Sequence, residues 1–432
     1  MLWRQLEAVQ VGVSTAEWSR SLVFLLVAGC ASLLLAVGTI LLGITSSFET
    51  PKVGQWILTL DPNDPWLENR LGESYKDDNP SEGLRHLRRA TQLSPYRQLY
   101  WSDLESACEA MGNQQCVDEA DERLLQLCPM APYYHLVAVQ YFLRKNQLDA
   151  ALQQSRRLLE LDSGYALPTW QSLQSVRKPE LIYQIVLAES GNIELKVGYV
   201  DFVSGQGDND TAYHLWKLAV AGSHPFPFAT ATPYLERLIS LGRIEEASRV
   251  WQDLERLGIV KGVEANEKDN LIFNGDFEHS PLNAGFDWRT DPTTYLVVDV
   301  TAGGAYHGVH CLRIDFTGRR NDEYEPVYQI VPVLPQRTYR LEAFVRSEDI
   351  TSDTGPCLRI SDIQPSGFPV AISETTVGTT PWHPVRLSFT TGPRTQAVRV
   401  SFWRPRSRVF PMEISGTAWL DAVSLKSVRP ES

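Results

Sequence analysis

The chain has 432 residues, of which 43% are hydrophobic and 21% charged, and its formal net charge is −12. These proportions are ordinary for a globular protein, and the length predicts two or three domains rather than one core. The acidic balance argues against a nucleic-acid-binding surface, which needs clustered Lys and Arg to neutralise phosphates.

The first predicted element is a membrane-spanning helix. Leu22–Ile44 is a run of 23 residues without a charged side chain, and at ~1.5 Å per residue it extends roughly 34 Å, enough to cross a bilayer. Arg4 and Arg20 precede the run, so the positive-inside rule predicts a cytoplasmic segment (1–20), a transmembrane helix (21–45) and an exported body. We therefore expect a single-pass protein of a bacterial inner (cytoplasmic) membrane with a periplasmic or extracytoplasmic bulk.

The cysteines leave two questions open. Cys30 ends the stretch "LVAGC", which resembles a bacterial lipobox. However, the residues after it stay apolar, so a plain membrane anchor is the favoured interpretation and a lipoprotein the alternative. An exported body permits disulfides, and no C-x-x-C spacing indicates a zinc, redox or haem site. The pairing is open among Cys108, Cys116, Cys128, Cys311 and Cys357.

A helical pattern then repeats about every 34 residues. Gly or Asn stands at a turn, a small residue follows five positions later and an apolar residue twelve positions later. The positions are Gly112, Val117 and Leu124; Asn146, Ala151 and Leu158; Gly207, Ala212 and Ala219; Gly242, Ala247 and Leu254. Pro62, Pro95, Pro129 and Ser163 mark repeat ends at spacings of 33, 34 and 34 residues.

Residues 52–258 therefore resemble a tetratricopeptide-repeat (TPR) solenoid, with a pattern that drifts over 164–225. The resemblance implies stacked helix hairpins that bury a common core. It also implies a concave face that binds a protein partner. A spacer that only stacks is the open alternative.

A charged linker, 259–269, separates this part from short alternating strands with turn signals between them. Such strands predict an antiparallel β-sandwich over 270–428. The segments "NLIFNGDFE", "GFDWR" and "WLDAVSL" resemble the galactose-binding-like jelly rolls found in carbohydrate-binding modules. The predicted fold class is therefore multidomain α + β: one transmembrane helix, an α-helical TPR-like solenoid and an antiparallel jelly roll.

The jelly-roll resemblance implies a structural calcium site. In relatives, acids on the first and last strands often hold this ion together with backbone carbonyls, because Ca²⁺ prefers several oxygen ligands. The matching residues here are Asp276, Glu278 and Asp421. The alternative is that Glu278 caps a turn and Asp421 pairs with an arginine. Apart from this calcium, no cofactor is expected.

Carbohydrate binding needs exposed aromatic faces beside polar side chains. The best exposed constellation is the loop "TGRRNDEYEP" (317–326), followed by "WRPRSRVF" (403–410). The candidate sugar-binding residues are Trp288, Arg319, Arg320, Asp322, Glu323, Tyr324, Trp403 and Arg404. Trp382 and Trp419 match positions that pack inside relatives, so they are expected in the core.

No G-x-S-x-G, H-E-x-x-H, P-loop or G-x-G-x-x-G motif occurs, so we expect no enzyme. The main hypothesis is a membrane-anchored adaptor whose repeats bind a protein partner and whose sandwich binds polysaccharide during envelope assembly or export. The alternative is a structural scaffold subunit of a membrane complex without sugar binding. A third interpretation, a degenerate glycan-processing enzyme, needs a carboxylate pair lining a cleft.

Overall fold

The computed structural model describes residues 27–37, 51–261, 269–291, 293, 295–364, 371–410 and 412–428. Two compact units divide the chain, Met1–Ser172 and Leu173–Ser432. The last helices of the predicted repeat domain therefore belong to the same unit as the sandwich.

Helix α1 covers residues 27–37, and all of its side chains are exposed. They include the apolar Leu33 and Leu34 and the free thiol of Cys30. The remainder of the predicted membrane-spanning run, 22–26 and 38–44, lies outside the described residues. In the part of the chain that the structure describes, no helix combines the length and the apolarity needed to cross a membrane.

Helix hairpins build the rest of the first unit. The helices are α2 (Pro51–Leu58), α3 (Pro65–Tyr75), α4 (Pro80–Leu93), α5 (Gln98–Ala110), α6 (Gln114–Leu127), α7 (Pro132–Arg144) and α8 (Leu148–Leu161), with α9 (Ala166–Leu173) at the boundary. Asp64, Asn79 and Asn113 accept backbone N–H groups at the starts of α3, α4 and α6. Such caps satisfy the donors that a helix start leaves unpaired.

The turn and packing positions of the predicted repeat are confirmed. Gly112, Asn146, Gly207 and Gly242 have φ angles of 65°, 56°, 91° and 71°, a left-handed conformation that Gly and Asn adopt most easily. The small residues five positions later are buried in every copy: Val117, Ala151, Ala212 and Ala247. Their small side chains let the second helix of each hairpin approach the first.

One disulfide, Cys108–Cys116, joins α5 to α6. It lies in an apolar cluster with Leu87 and Leu104. Cys128 is a half-buried free thiol. The sequence leaves the cysteine pairing open, and the structure shows a disulfide within one helix hairpin.

The second unit begins irregularly and then returns to hairpins. A 3₁₀ turn at Gln174–Val176 and a π-helical turn at Tyr183–Leu187 occupy the segment in which the repeat pattern drifts. The helices of this unit are α10 (Pro179–Ile182), α11 (Ile193–Gly205), α12 (Asn209–Val220), α13 (Phe228–Ser240) and α14 (Ile244–Arg256).

Ten described strands form the predicted two-sheet antiparallel sandwich. They are β1 (Arg289–Thr290), β2 (Leu296–Ala302), β3 (His310–Thr317), β4 (Tyr324–Pro332), β5 (Thr338–Ile350), β6 (Cys357–Asp362), β7 (Ala371–Ile372), β8 (Gly378–Thr390), β9 (Ala397–Arg404) and β10 (Ser415–Ser427). Sheet A has the order β1-β4-β9-β6-β7, and sheet B has the order β2-β3-β10-β5-β8. Alternate residues of both sheets fill one apolar core, as the period of a strand requires.

The first and last segments of the sandwich meet. Leu271 N donates to Leu425 O over 2.9 Å, which joins the opening segment to the last strand. On another side, Trp251 of α14 packs edge-on against Phe273 and Phe286, with ring centroids 4.9 and 5.8 Å away. The last helix hairpin and the sandwich therefore share an apolar contact.

Candidate functional site

A row of side chains crosses the outward face of sheet A. The register pairs Arg289 with Tyr328, Tyr328 with Ser401, and Ser401 with Arg359. Neighbouring residues such as Val400 point into the core, so these four point away from it. The sheet thus aligns residues from four strands that are far apart in sequence.

Guanidinium groups lie against the aromatic rings of this face. The Cζ atoms of Arg399 and Arg289 are 4.3 and 5.7 Å from the ring centroid of Tyr328. Arg359 lies 4.9 Å from the ring centroid of Trp403. Each cation–π contact is worth roughly 0.5–1 kcal/mol when exposed. These contacts orient the arginines along the face.

Each arginine also meets a carboxylate. The pairs are Arg399–Glu325 at 2.9 Å, Arg359–Glu323 at 3.4 Å and Arg289–Glu236 at 2.7 Å. Even so, two buried donors, Arg289 Nη1 and Arg359 Nε, have no hydrogen-bond partner among the described residues. Burying an N–H group without an acceptor costs about 1–3 kcal/mol.

The predicted loop supplies part of this face. Glu323 Oε1 accepts a hydrogen bond from Trp403 Nε1 over 2.9 Å, so the structure brings two predicted residues together. Tyr324 is half-buried and packs against the sandwich core. The loop therefore contributes one carboxylate to the face, while its tyrosine mainly packs beneath it.

The remaining loop residues form a separate cluster. Arg320 lies 4.5 Å above the ring of Tyr295 and donates to its hydroxyl over 2.8 Å. Asp322 pairs at 3.7 Å with both Arg320 and Arg406. Arg319 is exposed. These contacts hold the loop rather than extend the row.

Trp288 requires a correction. Only 1% of this residue is exposed. Its ring stacks on Phe277 at 5.2 Å, and its Nε1 donates to Asn274 O over 2.9 Å. A ring enclosed in this way has no face for a sugar, so Trp288 is a core residue.

Arg404 requires the same correction. It is completely buried and donates to Thr354 O, Asn321 Oδ1, Asp322 O, Ser352 Oγ and Met412 O. Burial lowers the pKa of its guanidinium. Arg404 therefore fixes three loops at one end of sheet A instead of contacting a ligand.

The three residues of the predicted calcium site bind backbone N–H groups. Glu278 Oε1 accepts from Val309 N and His310 N at 2.6 and 2.9 Å. Asp421 Oδ2 accepts from Tyr306 N and His307 N at 2.7 and 2.9 Å.

Among the described residues, Asp276 Oδ1 accepts only from Glu278 N, over 3.4 Å. Within the described ranges, no group of three His, Cys, Asp or Glu residues is arranged to hold a metal ion. Through these N–H groups, Glu278 and Asp421 clamp the β2–β3 turn. The calcium site stays a prediction.

Sheet B also has an outward aromatic cluster. Tyr306, 46% exposed, stacks on Phe344, and Trp382 Nε1 donates to Gly304 O over 3.0 Å. Arg346 lies 4.4 Å from the ring centroid of Trp419. Trp382 and Trp419 are only partly buried, which corrects the expectation that both lie in the core.

Sequence reasoning missed Tyr328, Arg359 and Arg399. A signal for them exists, because "AVRVSFWR" (397–404) alternates and places Arg399, Ser401 and Trp403 on one face. The pairing that brings Tyr328 and Arg359 beside them depends on register, which the alternation of single strands does not give.

No protein-family model and no curated protein matches the chain. Similar solved structures include YrrB, a TPR protein with an unusual peptide-binding site, at 10% identity over 40% of this chain and 93% of YrrB, with a TM-score of 0.28. A CBM4 structure is 15% identical over 36% of this chain and 99% of its own, with a TM-score of 0.27. The xylan-binding CBM22-1 domain of Paenibacillus barcinonensis Xyn10C is 13% identical over 36% and 94%, with a TM-score of 0.25. Likeness of this size identifies neither ligand nor partner, so function has to be argued from the side chains.

Proposed function

We propose that the chain is a non-catalytic adaptor whose sandwich binds polysaccharide on the outward face of sheet A. The observation that carries this proposal is the row on this face in which arginines contact the rings of Tyr328 and Trp403 and pair with carboxylates. Sugar hydroxyls accept hydrogen bonds from guanidinium groups and donate to carboxylates, and both kinds of group stand here side by side.

The helix hairpins are proposed to bind a protein partner. Stacked hairpins form an extended surface, and repeat proteins use such surfaces for recognition. Within the first unit the surface carries exposed apolar side chains, among them Tyr96, Leu99 and Tyr133. One protein-binding and one glycan-binding part on a single chain suit an adaptor in envelope polysaccharide assembly or export.

The proposed location is the outer side of a bacterial cytoplasmic membrane. The uncharged run Leu22–Ile44 supports a membrane tether. The Cys108–Cys116 disulfide supports an oxidising compartment, because cytosolic thiols are kept reduced. Fractionation of cells that express the full chain or a deletion of 22–44 tests the tether: only the full chain should sediment with membranes.

Sugar binding is tested on the full chain in detergent with an array of bacterial polysaccharides. Arg359→Gln removes the guanidinium that lies over Trp403 and pairs with Glu323. It should weaken binding at least about tenfold, since hydrogen bonds from a charged group contribute strongly. Arg346→Gln is the matched control, because Arg346 also lies over a tryptophan and pairs with Glu348 at 3.4 Å. Equal binding by both variants would contradict the placement on sheet A.

The alternative, a structural scaffold without sugar binding, is favoured by one observation. Arginines already lie against both Tyr328 and Trp403, so neither ring is bare. A blank array from a folded full-length protein would support this alternative.

A further inference from the structure

A pair of carboxyl groups lies buried in the first unit, inside the hairpin of α5 and α6. Glu105 and Asp121 are only 8% and 5% exposed. They lie close enough to share a hydrogen bond, which requires one of them to hold a proton. Burial and the charge of Glu105 raise the pKa of Asp121 to about 7, and burial raises the pKa of Glu105. Arg144 lowers the pKa of Asp121, but burial and the neighbouring Glu105 outweigh it.

Asp121 also lines a cavity of about 240 Å³ between α6 and α7. This volume far exceeds the ~10–15 Å³ that holds one water molecule. Half-buried Tyr141 and Phe142 form part of its wall. Asp121 Oδ1 is buried and has no hydrogen-bond partner among the described residues. The cavity is thus lined by an aspartate and by aromatic rings, the two kinds of side chain that attract organic cations.

The charges around the cavity are predominantly negative. The groups packed around the pair are Glu109 and Asp118, with Glu122, Tyr133, Arg144 and Lys145. The two cations among them already pair with Asp118, at 2.9 and 3.1 Å. The Cys108–Cys116 disulfide links the helices that carry Glu105 and Asp121. The disulfide therefore holds the two carboxyl groups near each other, whereas the cavity itself lies between α6 and α7.

We propose that this cavity binds an organic cation, an alkylammonium or guanidinium group, with Asp121 as its carboxylate partner. The same chemistry is available from a free amine and from a lysine or arginine side chain of a bound peptide. The site does not depend on sugar binding by the sandwich.

The test is calorimetry of the full chain with two probes, n-butylammonium chloride and N-acetyl-lysine methylamide. Saturable binding of either probe is expected, with release of a fraction of a proton near pH 7 as the cation replaces the shared proton. Titrations in buffers of different ionisation enthalpy measure that release. Tighter binding of the lysine amide points to a peptide source, and preference for butylammonium points to a free amine.

Asp121→Asn should weaken binding at least about tenfold and abolish proton release. Glu119→Gln, exposed on the same helix, is the matched control and should bind like the original protein. The Asp121→Asn substitution removes the repulsion between residue 121 and Glu105, so this variant should remain folded. If it does not, Glu105→Gln serves as a second variant. Absence of binding, or binding that neither variant weakens, would overturn the proposal.

Discussion

The two outward faces of the sandwich carry the same local motif in different surroundings. The motif is Arg359, Trp403 and Glu323 on sheet A, and Arg346, Trp419 and Glu348 on sheet B. On sheet A the tryptophan is 9% exposed and the Arg359 Nε is buried without an acceptor. On sheet B the tryptophan is only partly buried. An arginine over a tryptophan is therefore not enough to define a site; the burial and the unpaired donor distinguish the two faces.

The largest effect should come from Arg404, which holds the loop end of sheet A. Arg404→Ala removes a fully buried side chain and five hydrogen bonds, so we expect the free energy of unfolding to fall by about 3 kcal/mol or more. Urea unfolding followed by near-UV circular dichroism measures the change. Arg406→Ala, with a side chain 66% exposed, should change it by less than about 0.5 kcal/mol. Similar losses in both variants would show that the buried hydrogen bonds do not support this face.

The next largest effect is the loss of stability when the tryptophan of either motif is replaced by alanine. Trp403→Ala removes a nearly buried ring and should cost about 3 kcal/mol, whereas Trp419→Ala removes a half-exposed ring and should cost about 1 kcal/mol. Urea midpoints of the two variants in one buffer give the ratio. If Trp419→Ala cost as much as Trp403→Ala, burial would not distinguish the faces.

Glu278 and Asp421 should contribute to stability with opposite pH dependences. Burial opposes ionisation of Glu278, but the N–H groups of His310 and Val309 outweigh it and hold its pKa below the usual value. Its contribution to stability is therefore present above the unfolded-state pKa and lost as the pH falls through the folded-state pKa. Burial raises the pKa of Asp421, so its contribution is present at low pH and lost as the pH rises through the folded-state pKa.

Glu278→Gln should lower the free energy of unfolding at pH 7 by about 1 kcal/mol, and this loss should shrink toward pH 3. The free energy of unfolding of Asp421→Asn, relative to that of the original protein, should rise as the pH rises over the same range. Melting temperatures from about pH 3 to 7 give both slopes. Slopes of the same sign would contradict the opposite pKa shifts.

The smallest effect should come from the paired arginines themselves. Arg359→Gln and Arg346→Gln each remove a partly exposed ion pair and one cation–π contact, so both should change stability by less than about 1 kcal/mol. Thermal melts of the two variants check this. A large loss in Arg359→Gln alone would mean that weaker sugar binding by it reflects unfolding.

The sequence predicts the helical repeat better than the site. A TPR hairpin is specified locally: Asn146 and Ala151 stand five residues apart in one segment, so the turn and the close packing can both be read from spacing. The sandwich can be recognised from alternation, because each strand carries its own pattern. The row from Arg289 to Arg359 depends on pairing between strands distant in sequence, which single-strand patterns do not specify.

The misplaced residues show where residue type misleads. Arg404 looks like a surface cation, but it continues the inward series of Val400 and Phe402, and this alternation indicates burial. Trp288 looks like a sugar platform, but its indole N–H finds a backbone carbonyl inside the core. In both cases the buried polar atoms are fully engaged, a condition that requires tertiary contacts no local pattern specifies.

The contact between α14 and the sandwich bears on how such a protein could be assembled from exchangeable parts. A Cβ atom at Gly285 would come within 2.3 Å of Trp251, and Gly285 N donates to Glu236 Oε1 over 2.6 Å. A gene fusion that joined residue 270 onward to another protein would leave Phe273 and Phe286 without the ring that covers them. The smallest segment that can be moved intact into another protein therefore begins upstream of α13. It comprises the sandwich together with the hairpin of α13 and α14.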